Sequence, residues 1–180
     1  MGLLIQKLDL DHLADVNRCD STFTVAARLV LDAADGIISY RTLPVDPYLK
    51  RYPPDPYDPA AYVGSPEKAI YLAYLDGQVV GQIRLGSWWN RFAYVEDIVV
   101  DPAHRRQGVG RALLEQAFTW ARQGGFPGLM LETQNINVAA CRLYERCGMS
   151  LGGFDTCLYQ GLHPGTREAA LYWYKIFQPG

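Results

Sequence analysis

The stretch VDPAHRRQGVGRALLEQAFTWARQGG, residues 100–125, decides the fold of this 180-residue chain. Apolar residues recur at helical spacing from Val109 to Ala121, and Gly124 and Gly125 are a stop signal, so we predict a helix over about 108–124. The first turn of a helix leaves backbone N–H groups without partners, and glycine lets a ligand approach the backbone. The basic, glycine-containing segment RRQGVG at 105–110 therefore predicts an anion site suited to a diphosphate.

Other phosphate motifs fit this segment less well. The Walker pattern requires Gly-Lys-Ser/Thr, which is absent, and the dinucleotide pattern requires a third glycine or alanine where Leu113 stands. The structural alternative is a helix start eased by glycine, with a solvated basic turn.

The segments that flank this helix are predominantly predicted strands. Upstream, the turn residues Asp76 and Gly77 join runs that favour strands, and a third run leads to the helix, so an antiparallel meander is predicted. The predicted strands cover residues 5–8, 37–42, 69–74, 78–88, 92–100, 129–133, 151–159 and 169–177. A short helix capped by Asp11 is predicted through about residue 18, and a second amphipathic helix over 137–147, while residues 21–35 are ambiguous. Residues 44–59 hold six prolines, which exclude a regular helix or a central strand and leave a surface connection or a substrate-facing loop.

Composition predicts one globular domain over residues 1–180, since 49% of the residues are hydrophobic and 20% are charged. The net charge of −2 argues against nucleic-acid binding. We also expect no membrane span, because no apolar run approaches about 20 residues, and no secretory signal, because Met1–Lys7 lacks the charged-then-apolar pattern of a signal peptide. The four cysteines are predicted to be reduced, which favours a cytoplasmic location. The three histidines show no metal-ligand spacing, so no metal is expected.

Two motifs in order resemble the signatures of the GCN5-related N-acetyltransferases (GNAT). The first is Val100-Asp101-Pro102 followed by Arg105-x-x-Gly108-x-Gly110. The second is an Asn-led helix, carried by Asn137, Ala140, Leu143, Tyr144 and Gly148, with Met149 in place of the usual Phe. The resemblance implies an α/β fold: a mixed, mostly antiparallel twisted sheet with helices on both faces. Acetyl-CoA would lie where residues 92–100 and 129–133 separate.

Four further stretches resemble the streptothricin acetyltransferases, which are antibiotic-resistance enzymes of this superfamily. They are PYLKRY at 47–52, WNRFAYVEDI at 89–98, GLMLETQ at 128–134 and Asp155-Thr156. The similarity runs from about residue 40 to residue 177. Since these stretches lie outside the cofactor motifs, they bear on the substrate.

The resemblance implies a set of residues that bind acetyl-CoA through backbone and side chains. Asn137 would contact the pantetheine arm, cap its helix, or do both. The full set is Ile98, Val99, Val100, Arg105, Arg106, Gln107, Gly108, Val109, Gly110, Arg111, Asn137, Ala140 and Tyr144.

An amine attacks a thioester only when neutral, and an alkyl ammonium has a pKa of about 10, so the site must accept a proton. The family resemblance implies that Tyr144 protonates the departing thiolate. Strand alternation would place Glu96 with Ile98 and Val100, opposite Asp97, and we prefer Glu96 as general base. Asp97 remains the alternative, as does mere binding of the ammonium group by both carboxylates. The expected substrate-binding residues are Trp89, Tyr94, Glu96, Asp97 and Asp155.

The predicted function is acetyl transfer from acetyl-CoA to an amino group of streptothricin or a similar cationic antibiotic. The alternatives are an enzyme that acetylates an aminoglycoside, a polyamine or a protein N-terminus, and a non-catalytic acyl-CoA sensor. A monomer or a homodimer is expected.

Overall fold

The computed structural model describes residues 2–53 and 55–178, and the chain forms two compact units. The first unit comprises Met1–Thr22, Arg51–Leu129 and Ile176–Gly180, and the second comprises Phe23–Lys50 and Met130–Lys175. In chain order the strands are β1 (Leu4–Lys7), β2 (Phe23–Ala34), β3 (Ile37–Lys50), β4 (Ala69–Leu75), β5 (Gln78–Ser87), β6 (Ala93–Val100), β7 (Gly128–Gln134), β8 (Ser150–Asp155) and β9 (Ala170–Ile176). The α-helices are α1 (Val109–Gln123) and α2 (Val138–Arg146), and short 3₁₀ segments occur at Leu10–Asp15, Pro59–Tyr62, Pro102–His104 and Leu158–Gly161.

The first unit is built on an antiparallel sheet in the order β1-β4-β5-β6. Its central hairpin turns at Asp76 and Gly77, whose positive φ angles of 50° and 79° suit the tight turn that the sequence predicts. Apolar residues fill β4, and Ile70 and Leu72 are fully buried beside Leu8 and Tyr62. The predicted meander is therefore confirmed.

Helix α1 packs on this sheet through the apolar stripe that its sequence predicts. Its buried residues are Val109, Leu113, Leu114, Ala117, Phe118, Trp120 and Ala121. Each large side chain buried in this way contributes about 1.5–3 kcal/mol. Gly81 of β5 sets the closeness of the contact, because a Cβ there would lie 2.9 Å from Val109 Cγ1 and 3.1 Å from Leu113 Cδ1. The face of β5 that carries Gly81 is thus the face covered by α1.

The second unit contains a long β2–β3 hairpin that the sequence did not reveal. Asp35 and Gly36 form its turn, and both have positive φ angles. The expectation of a connection from residue 44 onward is wrong for residues 44–50, which continue β3. A two-stranded ribbon tolerates Pro44 and Pro47 because each strand has one unpaired edge, where a missing N–H costs nothing.

The rest of the second unit consists of strands in the order β7-β9-β8, together with α2. The side chain of Asn135, which follows β7, is buried and joins two other segments. Its Nδ2 donates to the carbonyl oxygen of Leu29 at 3.0 Å, and its Oδ1 accepts from the backbone N–H of Ala169 at 3.0 Å. This one amide therefore fixes the ends of β7 and β9 to the hairpin.

Two predicted boundaries are wrong for the same physical reason, a side-chain cap. Asp9, rather than Asp11, caps the first 3₁₀ segment by accepting from the N–H groups of Asp11 and His12. The strand predicted over 151–159 ends at Asp155, whose carboxylate accepts from the N–H groups of Cys157 and Leu158 and so forms a turn.

The mixed α/β class with a mostly antiparallel sheet is confirmed. Neither helix in the described parts of the chain is long and apolar enough to cross a membrane.

Candidate active site

The loop before α1 has the geometry of an anion-binding turn. Gly108 occupies the N-cap with a φ of +88°, and no side chain caps the helix there. Arg106 is also left-handed, with a φ of 62°. The N–H groups of the first helical turn are therefore available to a ligand, and the helix dipole favours a negative charge at this end.

The basic side chains of this loop differ in what they contact. The Arg105 guanidinium donates to the carbonyl oxygens of Val100 at 2.9 Å and Thr22 at 2.7 Å, so it holds the loop in place. Arg111 forms an exposed ion pair with Glu115 at 2.7 Å. Arg106 and Gln107 are exposed, and the Gln107 amide donates to the Ala103 carbonyl oxygen at 3.2 Å. The backbone N–H groups at this helix start are therefore better defined candidate hydrogen-bond donors to an anion than the arginine side chains are.

A β-bulge in β6 changes the expected placement of the two carboxylates. In the β5–β6 ladder Arg84 pairs with Asp97 and Leu85 pairs with Val95, which leaves Glu96 as the extra residue. The prediction that Glu96 shares a face with Ile98 and Val100 is wrong, because a bulge interrupts strand alternation. Glu96 and Asp97 both lie on the face of Arg84, opposite the face covered by α1.

Glu96 is held by two neighbours that the sequence reasoning missed. Its Oε2 accepts a 2.5 Å hydrogen bond from the Tyr62 hydroxyl and lies 3.6 Å from Nε of Arg84. A Cβ at position 86 would lie 2.8 Å from Oε1 of Glu96, so glycine at this position leaves room for the carboxylate. Burial, and then the hydrogen bond to Glu96, raise the pKa of Tyr62 to about 12, so its hydroxyl keeps its proton.

Asp97 is in a different environment from its neighbour. Part of its surface is accessible to solvent, but the protein atoms packed around the carboxyl group desolvate it and so raise its pKa above the usual value for aspartate. The positive charge of Arg84 opposes this shift, and the nearby carboxylate of Asp55 adds to it. A carboxylate that is accessible and has a raised pKa is suited to accept a proton.

Arg84 is the central cation of this face and is only 8% exposed. Its guanidinium lies 4.0 Å from the centre of the Tyr57 ring, a cation–π contact. Next to it on β5, buried Gln82 hydrogen-bonds Asn17 and Tyr57. The signal that could have identified these residues is two polar side chains, Gln82 and Arg84, two positions apart in the otherwise apolar interior of β5.

The second unit carries the residues of the second predicted signature. Tyr144 lies on α2, is 4% exposed, and its ring centre is 6.0 Å from that of Trp173. The Asn137 side chain accepts from the Ala140 N–H at 3.3 Å, so its capping role is confirmed. Burial raises the pKa of Cys141, one turn before Tyr144, to about 12, and such a neutral thiol is a poor nucleophile.

The remaining predicted substrate residues are spread over both units. Trp89 is 85% exposed in the β5–β6 turn, and Tyr94 stacks on Trp88 with ring centres 4.4 Å apart. Tyr94 pairs with Gly86 and so lies on the same face as Arg84 and Glu96. In the second unit Asp155 caps a turn.

A carboxylate that the sequence reasoning passed over, Glu132 of β7, accepts a 2.6 Å hydrogen bond from the Tyr159 hydroxyl in the second unit. Over residues 2–53 and 55–178, no three His, Cys, Asp or Glu side chains are grouped so as to hold a metal ion.

Comparison with known proteins identifies the class to which this fold and these motifs belong. Residues 37–149 match the Acetyltransferase (GNAT) family, which is more than half of the chain. The chain belongs to this family, and it is an N-acetyltransferase whose acetyl donor is acetyl-CoA.

The similarity to particular relatives extends over nearly the whole length. Streptothricin acetyltransferase A of Bacillus subtilis (strain 168) is 38% identical over 175 residues, which are 97% of this chain and 100% of that protein. A crystal structure described as a streptothricin acetyltransferase from Bacillus anthracis str. Ames in complex with acetyl coenzyme A is 44% identical, with a TM-score of 0.90 and 99% of each chain covered. The structure of nourseothricin acetyltransferase is 33% identical, with a TM-score of 0.80, and covers 98% of this chain and 99% of its own.

Proposed function

We propose that the acceptor of the acetyl group is an amino group of streptothricin or of a closely similar cationic antibiotic. The observation that carries this proposal is the full-length similarity to streptothricin acetyltransferases. That similarity includes residues before 37 and after 149, outside the part shared with the family as a whole. Segments outside the shared cofactor motifs are the ones expected to recognise an acceptor.

The carboxylates on the face of β6 opposite α1 suit a cationic acceptor. Glu96 and Asp97 are neighbours on that face, and Asp55 is close enough to influence Asp97 electrostatically. An ammonium group drawn to these carboxylates must lose a proton before it can attack. A carboxylate accepts that proton, the amine nitrogen bonds to the thioester carbon, and the carbon–sulfur bond then breaks.

The departing thiolate needs a proton, and we assign its delivery to the Tyr144 hydroxyl. The transfer is direct, with no acyl-enzyme. Burial raises the pKa of the Cys19 thiol to about 11 and that of Cys141 to about 12, which supports this assignment because neither thiol is activated as a nucleophile.

We propose that the N-terminal turn of α1 binds the diphosphate of acetyl-CoA through backbone N–H groups, with Arg106 and Arg111 nearby. Ile98, Val99 and Val100 would present backbone groups to the pantetheine arm. Asn137 and Ala140, at the start of α2, are proposed to contact acetyl-CoA, with Asn137 at the pantetheine arm.

One alternative for the acceptor is to be tested beside streptothricin. The enzyme could acetylate another amine, such as an aminoglycoside, a polyamine or a protein N-terminus. The other expected alternative, a non-catalytic sensor of acyl-CoA, is set aside because the chain belongs to the N-acetyltransferase family. We further propose that the protein acts in the cytoplasm, where acetyl-CoA is made, as a monomer or homodimer that binds neither nucleic acid nor membrane.

A susceptibility assay tests the proposed acceptor. Cells that express the wild-type protein should grow at streptothricin concentrations that stop cells expressing Gly108→Asp, a variant designed to lose acetyl-CoA. An aminoglycoside serves as the comparison drug. Equal growth of the two strains on streptothricin, with both proteins present at equal level, would reject streptothricin as the acceptor.

A further inference from the structure

Arg84 is placed between two carboxylates that the proposed mechanism treats as alternatives. It is buried on β5, its Nε is 3.6 Å from Oε2 of Glu96, and it pairs in register with Asp97. Its guanidinium is also stacked on the Tyr57 ring, which limits its movement. Because Arg84 is buried and held in place, its different contacts with Glu96 and with Asp97 can give the two carboxylates different roles.

Glu96 is held in place by its neighbours. One oxygen accepts from Tyr62 and lies 3.6 Å from Nε of Arg84, and the other lies beside Gly86. Protonating Glu96 would weaken the charge-assisted hydrogen bond from Tyr62 and remove the negative charge that lies 3.6 Å from Nε of buried Arg84, which is costly. Asp97 is the more accessible of the two carboxylates, although the Gln82 side chain hydrogen-bonds it and Arg84 attracts it.

We propose that Arg84 is a positioning residue that, with Tyr62, holds Glu96 as a fixed charge and leaves Asp97 to accept the proton of the acceptor ammonium. This inference rests on the proposed function and replaces the preference for Glu96 that the sequence suggested. In the step, the nitrogen–hydrogen bond of the ammonium breaks and the proton passes to an Asp97 oxygen. The freed lone pair of the amine then attacks the thioester carbon.

The charged and titratable groups around Asp97 determine how its titration responds to mutation. They are Arg84 on β5, Glu96 on β6, Asp55 and Tyr57 in the segment before the second 3₁₀ turn, and Cys19 in the N-terminal segment. Arg84 lowers the pKa of Asp97, and Asp55 raises it. Removing the Arg84 charge should therefore raise the pKa of Asp97, and a lysine at the same position should restore it.

The experiment combines two measurements on wild type, Arg84→Gln, Arg84→Lys, Asp97→Asn and Glu96→Gln. The first is a carboxyl ¹³C NMR titration of the free protein, which needs no acceptor. The second is the pH dependence of kcat/KM with whichever amine the wild type acetylates. If streptothricin is not the acceptor, the wild type will fail to acetylate it. If the inference is wrong, the variants will not show the expected changes in the Asp97 titration and in the pH dependence of kcat/KM.

We expect the acidic limb of kcat/KM to move to higher pH in Arg84→Gln, together with the Asp97 titration, and to return in Arg84→Lys. Asp97→Asn should remove the limb and lower kcat about 10²-fold or more, while Glu96→Gln keeps the limb. A limb that disappears in Glu96→Gln and persists in Asp97→Asn would overturn the inference. So would an Asp97 titration that is the same in Arg84→Gln and wild type.

Tyr62→Phe keeps the inference testable if Arg84→Gln does not fold. This variant removes only the hydroxyl that donates to Glu96. If Asp97 accepts the proton, the acidic limb should stay at its wild-type position. If the limb moves to higher pH, Glu96 is the titrating group and the inference is wrong.

Discussion

The hydroxyl of Tyr144 is the single group to which the proposed mechanism assigns protonation of the thiolate. Its ring is buried on α2 against Trp173, so Tyr144→Phe should preserve the packing. General acid catalysis contributes roughly 10²–10⁴-fold to a rate, and we expect a fall in kcat of that order. Affinity for acetyl-CoA, measured by calorimetry, should stay close to wild type. An unchanged kcat under conditions where chemistry limits the rate would reduce Tyr144 to a packing residue.

The raised pKa of Asp97 also has a consequence for stability. When the folded state raises the pKa of a carboxyl group, that group contributes a stabilisation of the fold that is complete below its unfolded-state pKa. This contribution is lost as the pH rises through its folded-state pKa. At neutral pH the ionised Asp97 therefore destabilises the fold, and Asp97→Asn should raise Tm while it lowers activity.

The gain in Tm should shrink as the pH falls toward the usual aspartate pKa of 3.8. Asp32→Asn, a change of an exposed carboxylate on β2, is the control. A Tm for Asp97→Asn equal to or below wild type at neutral pH would contradict the electrostatic description of this face.

At the scale of the element, the N-terminus of α1 provides a sharp test of the cofactor site. Gly108 has a positive φ, and no atom lies within 4 Å of a Cβ built on it. Gly108→Ala and Gly108→Asp both place a Cβ at a left-handed position, which aspartate tolerates at least as well as alanine, but only aspartate adds a negative charge to the proposed diphosphate site. We expect the aspartate variant to lose acetyl-CoA binding, measured by isothermal titration calorimetry, and the alanine variant to retain much more of it. Equal affinities in the two variants would place the diphosphate elsewhere.

Substitution of Asn135 measures how much its two buried hydrogen bonds stabilise the second unit. Asn135→Ala would leave the Leu29 carbonyl oxygen and the Ala169 N–H without the amide that each contacts. An unsatisfied buried polar group costs about 1–3 kcal/mol, so the free energy of unfolding from urea titrations should fall by at least that amount. Gln123→Ala, at the exposed end of α1, should change it little. A loss no larger in Asn135→Ala than in Gln123→Ala would show that water replaces the amide.

Elements with local signals could be predicted from the sequence, and elements defined by distant pairing could not. Asp76-Gly77 and Gly124-Gly125 mark a hairpin and a helix end by their own conformational preferences, and β4, β5 and α1 follow. The β2–β3 hairpin could not be predicted because prolines in its second strand are permitted only by an open edge. The bulge at Glu96 arises from the register against β5, so strand alternation gave the wrong face. The contacts of Arg84 and Tyr62 with Glu96 could not be predicted either, because these residues are distant in sequence and only the fold brings them together.

At the scale of the whole molecule, the sequence predicts one domain over residues 1–180, and the structure describes two compact units. We predict that both units unfold in a single transition, with equal calorimetric and van't Hoff enthalpies. Acetyl-CoA at about 100 times its Kd should stabilise the folded protein by about 2.7 kcal/mol. Two separate transitions, of which acetyl-CoA shifts only one, would show that the units fold independently.

The most direct test is transfer of a ¹³C-labelled acetyl group from acetyl-CoA to streptothricin by the purified protein, followed by mass spectrometry of the antibiotic. We predict one labelled acetyl group per streptothricin molecule, one thiol released per acetyl group transferred, and no label on the protein. The kcat/KM for streptothricin should exceed that for an aminoglycoside, a polyamine and an N-terminal peptide. Unlabelled streptothricin, under conditions where the same preparation binds acetyl-CoA and acetylates one of the other amines, would contradict the assignment.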